Sequence, residues 1–304
     1  MKILFNVAVG NTERNNFKSI CNFFSMMCSS FEELGHECLI ICHENSKTKN
    51  IYKNNIILKN IPEKFDFNPD FVFTWNGMLD GDCKLVNKFG KEKIIFGELG
   101  FFDHYDTCYF DFNGVGFNSS LMIDDVNDVC LDSCFIEDMK KKYIKKRLFN
   151  EDFIFVPLQD ENDTQIKLGS PYKTMYDFLS YINTLYFDKK INILIKKHPK
   201  SKNKISNKFN FIEVKENVHH YIPYAKKVIG INSNVLFETM IYHNRILNVG
   251  LGICSRKFES NTERNKFLKE CYSRQINLKN LNNVDIVKKS WIYKNMIEKY
   301  NERN

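Results

Sequence analysis

Phe153-Ile154-Phe155-Val156-Pro157, followed by Leu158-Gln159-Asp160-Glu161-Asn162-Asp163, is an apolar run that stops at a cluster of polar and acidic side chains. Further on, Ile191-Asn192-Ile193-Leu194-Ile195-Lys196-Lys197 ends in His198-Pro199. Short apolar runs rich in β-branched and aromatic residues read as strands buried on both faces, as parallel strands are. Proline cannot donate to a ladder, so the second strand must stop at Pro199. The apolar spacing over 171–185 predicts a helix between them, which makes the stretch one βαβ unit. Ligands in open α/β sheets collect beyond the carboxyl ends of the strands, so both polar clusters are expected on one crevice.

Outward from this unit the same alternation continues. Strands are expected near 209–214, 227–231 and 245–249, with helices near 234–243 and 284–300. Upstream, Ile3-Leu4-Phe5-Asn6-Val7-Ala8-Val9-Gly10 reads as a buried strand. A helix over Asn15 to Leu34 follows, with Phe17, Ile20, Cys21, Phe24, Met27 and Phe31 on one face and Gly35 as its C-terminal cap. Strands at 37–42, 71–74 and 94–96 and a helix at 82–89 complete that half, without the full GxGxxG turn of dinucleotide sites. A loop-rich segment is expected from Gly97 to Asp132, and a basic amphipathic helix from Ser133 to Leu148 leads into the second series. The pattern predicts an α/β protein of two Rossmann-like domains facing each other across a cleft. Their boundaries are expected at 1–149 for the first and 150–283 for the second, with a C-terminal helix in 284–304 packing back on the first.

Composition bounds the class. The 304 residues are 43% hydrophobic, enough to fill two cores. No apolar run is long enough for a membrane span, and the first residues lead straight into a strand, so the expected location is cytoplasmic. Ten cysteines at irregular spacings, with no CxxC pair, read as reduced thiols in core positions. The net charge of +7 permits an anionic partner without requiring one. The densest basic run, Lys140 to Arg147, reads first as a solvated helix face, and second as a contact surface for DNA or a membrane.

Three clusters could carry chemistry. His198, with Lys197 beside it, stands at a strand tip where an imidazole can donate to a phosphate. Gly230-Ile231-Asn232-Ser233-Asn234 ends a strand and opens a helix, so Ser233 or Asn234 is a natural N-cap, and Glu238 lies about one turn in. Glu98, between Gly97 and Gly100 and ahead of Asp103, His104 and Asp106, is a candidate general base or nucleophile. The aromatic residues Tyr109, Phe110 and Phe112 either wall a sugar pocket or anchor this loop. Asp160, Glu161 and Asp163 could hold magnesium, but Lys197 and His198 can neutralise phosphate without it, so no metal is expected. His36, Cys38, Cys42 and His43 flank one strand and point to opposite faces, which disfavours a shared metal site. His219-His220 reads as the structural start of a helix near the rim between the domains.

Val156 to Pro171, with its Gln159-Asp160-Glu161-Asn162-Asp163 core, resembles the glutamine and acidic stretch of capsule polysaccharide biosynthesis proteins of the Kdo-transferase type. Lys196-Lys197-His198-Pro199 and Asn232-Ser233-Asn234-Val235-Leu236-Phe237-Glu238 follow in that family's order. The resemblance covers about 150–255. It implies a GT-B glycosyltransferase whose second domain holds a nucleotide sugar, CMP- or UDP-linked, as co-substrate, with a glycan or glycolipid acceptor. It further implies donor contacts from Gln159, Lys197, His198, Pro199, Asn232, Ser233, Asn234 and Glu238, and catalysis by Glu98 and Asp163. Asp103, His104 and Asp106 fall on the acceptor side, and the implied setting is the cytoplasm or inner membrane surface. Two departures stand out. Leu99 occupies the place of a family aspartate, and Gly250-Leu251-Gly252 that of a Gly-Trp-Gly stretch. Two other readings stay open: a phage-type enzyme glycosylating modified DNA bases, and a nucleotide-sugar-binding protein whose catalytic acids have decayed.

Overall fold

A computed structural model describes residues 1–7, 15–43, 55–58, 66–76, 80–132, 134–199, 201 and 209–303. The chain divides into two compact units, Met1–Ser120 with Tyr272–Asn304, and Leu121–Cys271. The boundary expected near Asn150 therefore differs from the observed division at Ser120, and the lysine-rich segment belongs to the second unit.

The first unit opens with β1 (Lys2–Val7), α1 (Asn15–Glu33), β2 (Glu37–His43), β3 (Asn55–Leu58), β4 (Phe71–Trp75), α2 (Asp80–Phe89), β5 (Ile94–Leu99) and β6 (Thr107–Asp111). The expected continuation of the first strand through Gly10 lies outside the described residues. Phe24 and Phe31 of α1 pack their rings on Phe5 at 5.5 and 6.0 Å, and Phe5 stacks on Phe73 of β4 at 5.1 Å. Each such fully buried ring contributes about 2 kcal/mol by leaving water. Gly35, at φ 83°, ends α1 as the sequence predicts.

The second unit comprises α3 (Phe135–Tyr143), β7 (Phe153–Pro157), α4 (Thr164–Gly169), α5 (Met175–Tyr186), β8 (Asn192–Lys196), β9 (Ile212–Glu213), β10 (Lys227–Gly230), α6 (Asn234–Thr239), β11 (Ile246–Asn248) and most of α7 (Asn261–Arg274). Its sheet runs β11-β10-β7-β8-β9, with every pairing parallel. Phe178, Leu179 and Ile182 of α5 cover Ile154, Val156, Ile193 and Ile195. Thr174 caps α5, its hydroxyl accepting from the Asp177 amide at 3.1 Å. The helix expected over 133–148 stops at Tyr143. Beyond it, the carbonyls of Lys145 and Lys146 accept from the Tyr224 hydroxyl and the His220 ring at 2.8 and 2.7 Å, which holds the chain extended. On α3 itself, Lys140 and Lys141 pair with Glu137 and Asp138 at 2.7 and 3.8 Å.

The chain returns to the first unit with β12 (Gln275–Asn277), α8 (Val284–Lys289) and α9 (Trp291–Arg303). The first sheet is ordered β12-β6-β5-β4-β1-β2-β3. Its five parallel strands run 3-2-1-4-5, the Rossmann order, and β6 and β12 add antiparallel pairings at one edge. Ile292, Tyr293 and Met296 of α9 join the core built on Phe5, Phe24 and Phe73. The single helix expected at 284–300 is two, broken at Ser290. Its hydroxyl donates to the Val287 carbonyl at 2.6 Å and accepts from the Tyr293 amide at 3.3 Å. Among the described cysteines six are buried, whereas Cys130 and Cys134 are exposed, which corrects the expectation of core thiols throughout. No helix among the described residues is long and apolar enough to cross a membrane.

Candidate functional site

The parallel register of the second sheet aligns the ends of its strands. Pro157 pairs with Lys196, Val228 with Phe155, and Gly230 with Asn248. Gln159, His198 and Asn232 therefore each lie just past the last residue of adjacent strands, at the same carboxyl edge. This edge is where an open α/β sheet offers a crevice to ligands. A Cβ added to Gly230 would stand 3.4 Å from Pro157, so the two strand ends are in van der Waals contact.

At the tip of β8 the cations have different duties. Lys196 donates to the carbonyls of Lys215 and Glu216 at 2.6 and 2.7 Å, and burial lowers its pKa. Lys197 pairs with Glu213 at 3.0 Å. His198 is half-buried, and its carbonyl accepts from the Ser201 amide at 2.9 Å, which turns the chain after Pro199. The acidic stretch divides likewise. Glu161 accepts from the Met175 amide at 2.7 Å and so serves the start of α5. Asp160 folds over its own turn, taking the Asn162 amide at 3.1 Å. Asp163 is exposed and leads into α4, its carbonyl accepting from the Ile166 and Lys167 amides.

The turn after β10 is the most tightly specified part of the edge. Asn232 takes φ 50°, in the left-handed region that asparagine tolerates better than most residues. Its amide donates to Asn248 Oδ1, and Asn248 Nδ2 donates back to Asn232 Oδ1, both at 2.8 Å. Asn248 Nδ2 also donates to Ser255 Oγ at 2.9 Å. Gly250 and Gly252 admit this clasp because a Cβ on either would come within 2.8 or 2.7 Å of the Asn232 side chain. Asn232 Nδ2 itself is buried with no hydrogen-bond partner among the described residues. Ser233 caps α6, its hydroxyl accepting from the Val235 amide at 3.3 Å. Nothing in the sequence pattern marks Asn248 or Ser255, since polar residues at a strand end look alike until the fold pairs them.

Glu238 is fixed from two sides. Asn234 Nδ2 donates to one carboxylate oxygen at 3.0 Å, and His219 Nε2 stands 3.2 Å from the other. His219 is 6% exposed, lies in a short 3-10 turn, and stacks on Tyr143 at 5.2 Å. Its Nδ1 meets the Tyr242 hydroxyl at 3.0 Å. A carboxylate can only accept, so Nε2 donates to Glu238, and Nδ1 and the Tyr242 hydroxyl share the second hydrogen bond of the ring. Burial and the charge of Glu238 raise the Tyr242 pKa, so the phenol keeps its proton at neutral pH. The structural role expected for His219 thus has a specific object, the carboxylate beside the turn. Replacing His219 with alanine strands both partners in a part-buried site and should cost about 2–3 kcal/mol. A urea melt of the variant checks this, and a midpoint shift worth less than about 0.5 kcal/mol would show that the network holds nothing.

In the first unit, Glu98 lies within β5, opposite Tyr109 of β6, because the strand continues past the expected end at Phe96 to Leu99. The loop expected after Gly97 is in large part this antiparallel pair. Glu98 accepts from Asn76 Nδ2 at 3.2 Å and from the Leu99 amide at 2.9 Å. Gly97 leaves room for Phe110, whose ring would stand 2.7 Å from an added Cβ. Tyr109 and Phe110 are core residues, 2% and 1% exposed, so they anchor β6 and do not wall a pocket. Asp103, His104 and Asp106 form the turn between the two strands. Asp103 takes φ 49°, the His104 ring donates to the Gly100 carbonyl at 2.6 Å, and the Asp106 carbonyl accepts from the Leu278 amide at 2.8 Å.

Two separate α/β units, the first with five parallel strands and an antiparallel edge, the second wholly parallel with its polar residues gathered at one carboxyl edge, are of the GT-B type of fold. Residues 132–255 match the sequence model of the capsule polysaccharide biosynthesis protein family. Among curated proteins no sequence matches the chain. Among solved structures it is similar to KpsC of Thermosulfurimonas dismutans, described as a beta Kdo 2,7 transferase, at 16% identity over 100% of both chains with a TM-score of 0.56. A second KpsC structure from that organism, described as a beta Kdo 2,4 transferase, is similar at 13% identity over 87% of this chain and 89% of its own, with a TM-score of 0.55. At these identities the likeness is one of fold.

Proposed function

We propose that this protein is a glycosyltransferase of polysaccharide biosynthesis, moving a sugar from a nucleotide-sugar donor to a hydroxyl of a glycan or glycolipid acceptor. The observation that carries this reading is the meeting of Gln159, His198 and the Asn232–Glu238 turn at one edge of three adjacent parallel strands, all within the segment matched by the family. The donor is a CMP- or UDP-linked sugar. His198 meets its phosphate while Lys197, paired with Glu213, stands at the same rim. The orphaned Asn232 side-chain amide and Ser233 supply hydrogen bonds, and Glu238, held by His219 and Asn234, accepts from the ribose hydroxyls with its remaining lone pairs. Charge on the departing phosphate is stabilised by these side chains without a metal ion, because fixed donors aimed at developing charge need no reorganisation during reaction. The acceptor hydroxyl gives its proton to a carboxylate, Glu98 or Asp163, as its oxygen bonds the anomeric carbon and the sugar–phosphate bond breaks.

A thermal-shift screen against CMP-, UDP-, GDP- and dTDP-sugars tests the reading. A ligand that binds only the folded state stabilises it by about 2.7 kcal/mol at a hundredfold excess over Kd, so one pyrimidine nucleotide should raise the melting temperature in proportion to the logarithm of its concentration. No shift with any of the four would overturn the donor site.

A further inference from the structure

Away from the strand tips, the second unit holds a cavity of about 450 Å³ that the proposed transfer reaction does not use. Its walls are α3, the residues that follow α6, and the first turns of α7. We propose that this cavity is a binding site for an oxyanion, a carboxylate or phosphate group carried by a small polar ligand, with Arg264 as its ionic partner.

Arg264 lines the cavity yet is only 6% exposed. Its Nη2 donates to Asn265 Oδ1 at 3.1 Å, while its Nε is buried with no hydrogen-bond partner among the described residues. The neighbouring carboxylate, Glu263, turns away to Arg256 at 4.0 Å and to the Glu259 amide at 2.8 Å. Burial lowers the Arg264 pKa, the sign of a charge taken from water without a counter-ion. Removing one partner of a buried pair is strongly unfavourable, and an arginine already in that state calls for an anion to complete it.

The other charged groups on the wall are occupied. Lys140 pairs with Glu137 at 2.7 Å, and Asp132 accepts from the Cys134 amide and thiol at 3.3 and 3.1 Å. His243 cannot serve as the cation, because burial and the nearby Arg245 push its pKa down to about 4 and its Nε2 faces the Ile222 carbonyl at 2.9 Å. Arg264 is left on this wall without an ion pair among the described residues, and a planar guanidinium suits two oxygens of a carboxylate or phosphate. The side chains of Asn244 and Asn261 on the same wall suit the hydroxyls of a polar ligand. The start of α7, a helix of 14 residues, adds its partial positive charge.

The test compares the full chain with its Arg264→Met variant in thermal melts at fixed ionic strength. Inorganic phosphate and glucose 6-phosphate form one arm, acetate and glucuronate the other. The wild type should rise by about 3 °C across a tenfold to hundredfold excess of the preferred anion, and the responding arm names the group. The variant should melt higher than wild type without anion, having lost an uncompensated buried charge, and should show no anion-dependent rise. Equal rises in both proteins, or no rise of the wild type in either arm, would overturn the proposal. Should Arg264→Met fail to fold, Arg264→Gln carries the same comparison. A nucleotide-sugar titration of the same proteins separates this site from the donor site, since donor binding should survive the substitution.

Discussion

Replacing His198 with alanine should lower kcat for sugar transfer by about a hundredfold to a thousandfold, the range seen when one fixed donor to developing charge is removed. The side chain stands at the tip of β8, beyond the last paired residue, Lys196. Of the cations gathered there, Lys196 is committed to two carbonyls and Lys197 to Glu213. In the proposed reaction the imidazole, standing beyond the ladder at this tip, is the group that meets the departing phosphate. Being half-buried and outside the sheet, it should contribute little to folding, so the melting temperature of the variant should stay close to that of wild type. Initial rates at saturating donor, with a melt of the same preparation, make the measurement. Wild-type turnover in a folded variant would remove His198 from the reaction.

The second large effect is on stability. Asp111 at the end of β6 is 0% exposed, and Arg274 is 4% exposed. The carboxylate accepts from the Asn113 amide at 2.7 Å, the Ser119 hydroxyl at 2.8 Å and the Ser120 amide at 2.9 Å, and stands 3.8 Å from Arg274 Nη1. Arg274 lies over the Trp291 ring at 4.2 Å and also donates to the Ser120 hydroxyl at 2.6 Å. Asp111→Asn keeps the shape but removes the charge, and turns an amide donor toward groups that already donate. It should cost about 3–5 kcal/mol, because breaking a buried pair from one side leaves the other charge without compensation. Urea denaturation should show a lower midpoint with an unchanged slope, and the Asp111→Asn, Arg274→Met double variant should recover part of the loss. A single-variant loss under about 1 kcal/mol would mean that the carboxylate and guanidinium do not depend on each other.

Legibility followed the range of the interaction that forms each element. The β7-α5-β8 unit reads directly, because burial on both faces demands continuous apolar runs and the helix between them shows its stripe. β12 was not legible. Gln275-Ile276-Asn277 has no pattern of its own and becomes a strand only by pairing with Tyr109, Cys108 and Thr107 of β6. β6 in turn places Glu98 in a ladder where the sequence reads as a loop. α7 escapes notice because its sequence is polar, with Phe267, Leu268 and Cys271 as its fully buried apolar residues. The lysine-rich helix is overlong in the sequence because its local propensity continues past Tyr143, whereas Tyr224 and His220 take the backbone there.

By itself the sequence determined the strand tips and the residue types that stand on them. Gln159, His198 and the Asn232–Asn234 turn are where apolar runs stop, and a run can stop only where its chemistry changes. Only the tertiary structure decided which of the charged side chains remain available. Glu161 is committed to the start of α5, Lys197 to Glu213, Glu238 to His219 and Asn234, and Asp111 to Arg274, while Arg264 is buried with its Nε unmatched. The reason is physical. A charge is neutralised by what lies within a few ångströms of it, and the groups that come so close are brought there by packing from distant parts of the chain.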